Sequence, residues 1–157
     1  MKRTILLFIA VAFFVCGQTE GKTGGNFGLG LVLGEPTGLT GKLWTSRTRA
    51  WSGDLAFGLS HHHDYYQDDA VYLNVMHLWH DFNLAPVSSG ELPFYFGVGG
   101  RLWTAHQFGL GVRGCGGLSY LPPRSPVDFF LEIGIVFDIV EDPGLDGDMG
   151  LGFRYYF

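Results

Sequence analysis

Outside its amino end, the sequence has no stretch of 18 uncharged apolar residues, the length that a membrane-spanning helix needs. The apolar run at the amino end is itself too short to span a bilayer. No long segment repeats its apolar residues every 3.6 positions, so a helical fold is not indicated either. Basic residues are few and scattered, with 10 Lys and Arg against 15 Asp and Glu. The charge balance therefore gives no support to a nucleic-acid partner.

Glycine and aromatic residues are abundant instead, with 25 Gly and 14 Phe in a chain of 157 residues. Turn-forming residues recur about every dozen positions along the chain. That length fits a single domain, and this combination indicates an all-β protein.

The amino end has the pattern of a signal peptide. Lys2 and Arg3 precede an apolar run over residues 5–15, and small and polar residues follow from Gly17. We expect residues 1–21 to be the signal peptide, cut between about positions 17 and 21, and residues 22–157 to form the mature barrel domain. Lipidation of Cys16 is the alternative, although the residue before it is bulky. Cleavage after Cys16 leaves Cys115 as the sole cysteine, which precludes an intramolecular disulfide.

The mature chain is dominated by apolar residues that alternate with small or polar ones. At the carboxyl end, Met149, Leu151, Phe153, Tyr155 and Phe157 are separated by Gly, Arg and Tyr residues. Period two is the period of a β-strand, with one apolar and one polar face. Eight segments have this pattern: residues 27–34, 39–44, 51–60, 71–80, 94–102, 108–120, 127–139 and 148–157.

The apolar faces are almost free of charge, whereas the opposite faces carry four basic and five acidic residues. A soluble barrel of the lipocalin kind would place apolar residues inside and charges outside. We therefore predict a closed antiparallel eight-stranded transmembrane β-barrel, the smallest of the outer-membrane type, with a polar, plugged lumen. The predicted lumen charge network is Lys42, Asp54, Arg101, Arg113, Asp128, Glu132, Asp138, Asp148 and Arg154.

An eight-stranded barrel is only just wide enough for its side chains to fill it, so these charges should pair. We expect Arg113 to pair with Glu132, and Lys42 with Asp54, because each pair lies mid-depth on neighbouring strands. An ion path or proton relay is the functional alternative to a rigid polar plug.

If both termini are periplasmic, each connection can be assigned to the outer or the inner end of the barrel. Outer loops are expected near residues 34–37, 60–70, 103–107 and 140–147, and inner turns near 46–49, 81–93 and 121–126. Trp44 lies near the inner rim, but its position in the alternation places it on the face of the strand that points into the lumen. The pattern does not explain a large aromatic residue there. The predicted inner aromatic girdle comprises Trp51, Trp79, Phe94, Tyr120, Tyr155 and Phe157.

Three segments carry a family resemblance: GLGLVLGEPTGLT at residues 28–40, LWHDF at 78–82 and RYYF at 154–157. The chain resembles the OmpA-like barrels and, more narrowly, a family of small uncharacterised outer-membrane proteins of spirochaetes and other diderm bacteria. The resemblance implies that barrel assembly machinery recognises the last strand, with Phe153, Tyr155 and Phe157 as the signal. Larger OmpA-type proteins add a peptidoglycan-binding domain, a role that we do not expect for a chain ending at Phe157.

The histidine-rich segment HHHD at residues 61–64, with Asp68 and Asp69 nearby, could ligate a divalent ion. Adjacent histidines on one loop do not converge easily on a single ion, so a solvated acidic loop is the preferred interpretation. We predict no metal site and no cofactor.

Three functions are compatible with such a barrel. We predict a monomeric, non-catalytic envelope protein whose partners are outer-membrane lipids. A lipid A or phospholipid-modifying enzyme is one alternative, with Ser60, His61, His106, Asp138 and Glu141 near the outer rim. No short His-x-Ser spacing places a base beside a nucleophile there. An adhesin or surface-binding protein using the external loops is the other alternative.

Overall fold

The computed structural model describes residues 24–35, 37–58, 70–104, 108–140 and 143–157. The predicted signal peptide and its cleavage site lie outside these residues. The described residues form eight strands. They are β1 Phe27–Glu35, β2 Thr37–Trp44, β3 Arg49–Gly58, β4 Ala70–Asp81, β5 Phe94–Thr104, β6 Phe108–Tyr120, β7 Val127–Asp138 and β8 Leu145–Tyr156.

Each strand pairs antiparallel with the next, and β8 closes the barrel by pairing with β1. In this last seam, Leu29 lies opposite Tyr155 and Leu31 lies opposite Phe153. Closure leaves no unpaired strand edge. The predicted all-β, closed antiparallel eight-stranded barrel is therefore confirmed.

The barrel is inverted relative to a soluble protein. On the outward face, Ile133 and Leu151 are each 59% exposed, whereas the inward Asp128 and Arg154 are 0% and 2% exposed. The period-two pattern dictates this arrangement, because a register slip of one residue would exchange the two faces of a strand. None of the described residues belongs to a helix that is long and apolar enough to cross a membrane.

Short connections 45–48 and 121–126 and the longer connection 82–93 lie at one end of the barrel, here called the turn end. The opposite end is called the loop end. The long connection is tied to its neighbour because the amides and carbonyls of Glu91 and Leu121 exchange hydrogen bonds of 2.8 and 3.0 Å. Gly90 precedes this bridge with a φ of 76°, which a residue without Cβ adopts at least cost.

Several predicted strand boundaries are wrong at the loop end. The predicted loop 140–147 overlaps β8, because Leu145 to Gly147 still pair with Phe137 to Ile135 of β7. Likewise Trp103 and Thr104, predicted to begin a loop, pair with residues 71–72 of β4. Ladder hydrogen bonds extend each strand as far as its partner reaches, whatever the local side-chain pattern.

Candidate functional site

The candidate site is the charged interior of the barrel. Every strand except β1 contributes at least one inward polar residue that is buried. Most of the charged residues form two clusters at different depths. Asp138 is half-exposed at the loop-end rim rather than enclosed. The other members of the predicted charge network are enclosed: Lys42, Asp54, Arg101, Arg113, Asp128, Glu132, Asp148 and Arg154.

The loop-end cluster consists of Arg101, Arg113, Glu132 and Asp148. Arg113 donates from Nε and Nη2 to the two carboxylate oxygens of Asp148, at 2.8 and 2.5 Å. Its Nη1 lies 2.8 Å from Glu132 Oε1, and Arg101 Nη2 also donates to Asp148 Oδ2. Bidentate charge-assisted pairs of this kind are the strongest side-chain hydrogen bonds in proteins. Two guanidinium groups therefore share two carboxylates.

Uncharged polar side chains add hydrogen bonds to this cluster. Arg101 Nε donates to Asn74 Oδ1 at 2.9 Å, and Tyr95 Oη donates to Glu132 Oε2 at 2.9 Å. The first bond joins the neighbouring strands β4 and β5, and the second joins β5 to β7 across the lumen. The cluster therefore ties together strands that are not neighbours in the sheet.

Gly134 makes room for the pair between Arg113 and Asp148. A Cβ placed at Gly134 would lie 2.6 Å from Arg113 Nη2 and closer still to Asp148 Oδ1. Either the ion pair moves or the side chain does not fit. Glycine at this position leaves the ion pair undisturbed.

Replacing Gly134 by alanine should therefore destabilise the barrel by roughly 1–3 kcal/mol, the usual cost of overpacking. Gly114→Ala is the matched control, because its Cβ would meet nothing within 4 Å on the outward face of β6. Urea titration of each refolded variant in detergent micelles gives its unfolding midpoint for comparison with the parent protein. Equal unfolding midpoints would show that the interior accommodates the extra methyl group.

The turn-end cluster consists of Lys42, Ser119, Asp128, Arg154 and Tyr156. Asp128 Oδ1 accepts from Ser119 Oγ at 2.7 Å, and Oδ2 accepts from Lys42 Nζ at 3.3 Å and Tyr156 Oη at 3.0 Å. Arg154 Nη1 lies 3.5 Å from the same Oδ2. One carboxylate thus balances two cations, and it carries two hydroxyl donors as well.

Aromatic rings pack next to this cluster, toward the turn end. Trp44 Nε1 donates to Tyr156 Oη at 3.1 Å, and its ring lies 4.3 Å from His80 and 4.4 Å from Lys42 Nζ. The lumen parity of Trp44, unexplained by the sequence pattern, places its indole in this ring cluster. Trp44 therefore packs in the interior and is not part of the predicted aromatic girdle on the outward face.

A cavity of about 20 Å³ lies between the two clusters, lined by Asp54, Arg113, Glu132 and Arg154 among others. This volume holds about one water molecule and no larger solute. On the side of Arg154, its Nε and Nη2 donate to Thr40 Oγ1 at 3.1 and 2.9 Å. Thr40 lies directly opposite Asp54 in the sheet register.

The structure brings Arg113 and Glu132 together, as expected from their neighbouring strands. The expected pairing of Lys42 with Asp54 is wrong, because Lys42 pairs with Asp128 across the lumen. In the sheet register, Lys42 lies opposite Ser52, and Asp54 lies opposite Thr40. Lumen width, rather than strand adjacency, decides which carboxylate Lys42 reaches.

Sequence reasoning missed the uncharged members of both clusters, because it considered charges alone. The alternation of inward and outward positions was the available signal. Five uncharged residues share the inward face of their strands with charged residues or glycine: Thr40, Asn74, Tyr95, Ser119 and Tyr156. Their hydroxyl and amide groups complete hydrogen bonds that charges alone leave open.

The six residues predicted as an aromatic girdle all face outward and lie near the turn end. Trp51, Tyr120, Tyr155 and Phe157 are exposed, and Trp79 and Phe94 are half-buried. Neighbouring rings contact one another: Tyr155 and Phe157 lie 5.2 Å apart. Their position at a membrane interface stays a prediction.

The histidine-rich segment 61–64 lies outside the described residues, as do Ser60, His106 and Glu141 of the proposed enzyme alternative. Within the described ranges, no group of three or more His, Cys, Asp or Glu side chains could hold a metal ion. Cys115 is a free, buried thiol.

Comparison with solved structures places this architecture among known barrels. The chain is similar to the N-terminal β-barrel domain of Pseudomonas aeruginosa OprF, with a TM-score of 0.65 and 11% identity over 85% of this chain and 99% of that one. The fold is that of the OmpA-like eight-stranded barrels.

A second similar structure is Neisserial surface protein A (NspA), with a TM-score of 0.59 and 11% identity over 83% of this chain and 94% of that one. No family model matches the chain. No curated protein matches it either. The resemblance to a spirochaete family therefore stays a prediction.

Proposed function

We propose that this protein is an integral β-barrel of the bacterial outer membrane with a structural or surface envelope role and no catalytic activity. One observation carries the proposal: apolar side chains cover the outward face, and ion pairs fill the interior. In water this surface would be a large contiguous apolar patch of the kind that soluble monomers avoid. In hydrocarbon the same surface is solvated, and the closed sheet satisfies its backbone hydrogen bonds internally.

The similarity of the fold to OprF and NspA supports the proposed location. We orient the turn end toward the periplasm, as the short connections of outer-membrane barrels are. Outer-membrane lipids are then the immediate partners of the outward face. The closed ring of eight strands needs no second copy to complete it, so we propose a monomer.

Cell fractionation tests the location, and electrophoresis of heated and unheated samples tests the barrel. The full chain should be found in the outer-membrane fraction, and its migration should change on boiling because boiling unfolds the barrel. Circular dichroism in detergent should show β-structure and little helix. A soluble mature chain, or a helix-rich spectrum, would refute the proposal.

We further propose that the interior is a plug and not a pore. The two ion-pair clusters contain four basic side chains, Lys42, Arg101, Arg113 and Arg154, and the carboxylates of Asp128, Glu132 and Asp148 bind them directly. Buried pairs resist separation because each charge left alone costs several kcal/mol. The ring cluster around Trp44 narrows the turn end further.

The plug predicts that the reconstituted protein conducts no sizeable solute. Planar bilayer recordings should show no large, stable single-channel currents, since the space between the clusters holds about one water molecule. As a control, replacing Arg113 and Asp148 by alanine should increase conductance in the same bilayers. Large currents from the unaltered protein would contradict a plugged lumen.

A deletion strain separates the structural role from the enzyme alternative. Lipid A mass spectra should match those of the parent strain, whereas sensitivity to detergent should increase. An altered lipid A or phospholipid profile that the intact gene restores would instead indicate an enzyme.

A further inference from the structure

Four outward side chains form a small patch at the turn end of β3 and β4, here called the Arg–Trp–His patch. It consists of Arg49, Trp51, His77 and Trp79. Arg49 lies directly opposite Trp79, and Trp51 lies directly opposite His77. Because residues two apart on a strand share a face, all four project from the same side of the sheet.

The imidazole of His77 is held between two indoles. Its ring centroid lies 4.9 Å from that of Trp51 and 4.3 Å from that of Trp79, with interplanar angles of 68° and 77°. Trp79 in turn stacks on Phe96 at 5.4 Å and 17°. These contacts hold the ring in place, and within the described part of the chain no side-chain hydrogen bond to His77 is formed.

Arg49 brings a positive charge to this patch. Its side chain is exposed, and in the described ranges no acidic group forms an ion pair with it. Glu91 lies 3.9 Å from Arg47. Asp81 is exposed on the same outward face of β4, and its Oδ1 accepts from the Asn83 amide at 2.8 Å. The patch therefore combines aromatic rings with one guanidinium, and a single carboxylate lies at its edge.

A shallow depression leads from the patch toward the middle of the barrel. Gly41 and Gly53 lie opposite each other on the outward faces of β2 and β3. A Cβ at Gly53 would meet only the Asn74 carbonyl oxygen at 3.8 Å, and one at Gly41 would meet a Leu29 methyl at 3.4 Å. Nothing in the packing of the barrel therefore requires glycine at position 53, and the open space is available to an apolar chain.

We propose that the Arg–Trp–His patch binds the phosphate headgroup of an anionic phospholipid, with one acyl chain lying over Gly41 and Gly53. The proposal rests on the outer-membrane location given above, since headgroups lie at the depth of the turn end only if the barrel spans the bilayer. A guanidinium binds phosphate oxygens through parallel N–H donors, and the imidazole adds another donor. Tryptophan suits this depth because its ring is apolar and its N–H is polar. The adjacent apolar depression favours a lipid over a free phosphate ion.

Native mass spectrometry of the full chain, released from detergent micelles, tests the site. We expect more retained phosphatidylglycerol than phosphatidylethanolamine, since only the former carries net negative charge. Arg49→Gln should lower phosphatidylglycerol retention about fivefold, the effect of one basic residue at a charged lipid surface. His77→Phe keeps the ring contacts and should weaken retention less.

Arg124→Gln is the matched control, because Arg124 is an exposed arginine in the connection between β6 and β7, at the same end of the barrel. Equal retention of the two lipids, or equal losses in the Arg49 and Arg124 variants, would overturn the proposal. Displacement of the lipid by millimolar inorganic phosphate would overturn it too, since the site would then recognise the ion alone. Each variant is first checked for heat-modifiable migration, so that only folded barrels are compared. Absence of the unaltered chain from the outer-membrane fraction would separately refute the proposed location.

Discussion

Replacing Asp148 by asparagine should destabilise the folded barrel by about 3–5 kcal/mol, the cost of breaking a buried ion pair from one side. Asp148 accepts hydrogen bonds from both Arg101 and Arg113, and its side chain is only 5% exposed. Asparagine has a similar shape but no charge, so two guanidinium groups would retain Glu132 alone as a counterion. Urea titration in detergent micelles, followed by tryptophan fluorescence, gives the free energy of unfolding.

Asp146→Asn is the matched control, because Asp146 is exposed and lies two residues earlier on β8. It should change stability by less than about 0.5 kcal/mol, as exposed substitutions do. The double variant Arg113→Gln with Asp148→Asn should lose less stability than the sum of the single variants, because one uncompensated charge is then removed. Additive losses would show that Arg113 and Asp148 do not depend on each other.

The strand pattern predicted the barrel because period two assigns each side chain to one of two faces. A slip of one residue in β7 would put Asp128 and Glu132 on the apolar outward face, so the pattern allows a single register. The loop-end boundaries were not predictable in the same way. Leu145 to Gly147 contain an aspartate and a glycine and have the composition of a loop, yet β7 still provides ladder partners there.

The members of the charged interior were predictable by parity, but their pairing was not. Arg113 lies opposite Val136 in the register, yet its guanidinium reaches Glu132 and Asp148. Lys42 likewise forms its ion pair with Asp128 across the lumen and not with a residue on the strand beside it. These contacts depend on strand tilt, on the narrow bore and on the space left by Gly134. None of these is encoded in the alternation of one strand.

The second large effect concerns the outward aromatic residues at the end of β8 and directly after it, where the chain closes the barrel onto β1. Phe153, Tyr155 and Phe157 face outward, and the Phe157 amide donates to the Phe27 carbonyl at 3.0 Å. We propose that assembly machinery reads these aromatics before closure, as the resemblance to OmpA-like barrels implies. Phe157→Asp should then abolish most insertion in cells. The folded state should lose little, because a charge near the membrane interface costs only about 0–1 kcal/mol.

Comparing insertion in cells with refolding in detergent separates assembly from packing. Phe157→Asp should refold in micelles nearly as well as the parent chain, yet be missing from the heat-modifiable outer-membrane fraction. Tyr156→Phe is the converse control, since it removes the inward hydroxyl that donates to Asp128 at 3.0 Å and leaves the outward face unchanged. It should insert normally and unfold at lower urea, because the Asp128 carboxylate then lacks one hydrogen-bond donor. If Phe157→Asp inserts normally in cells, the ring at this position only packs against Tyr155 and carries no assembly signal.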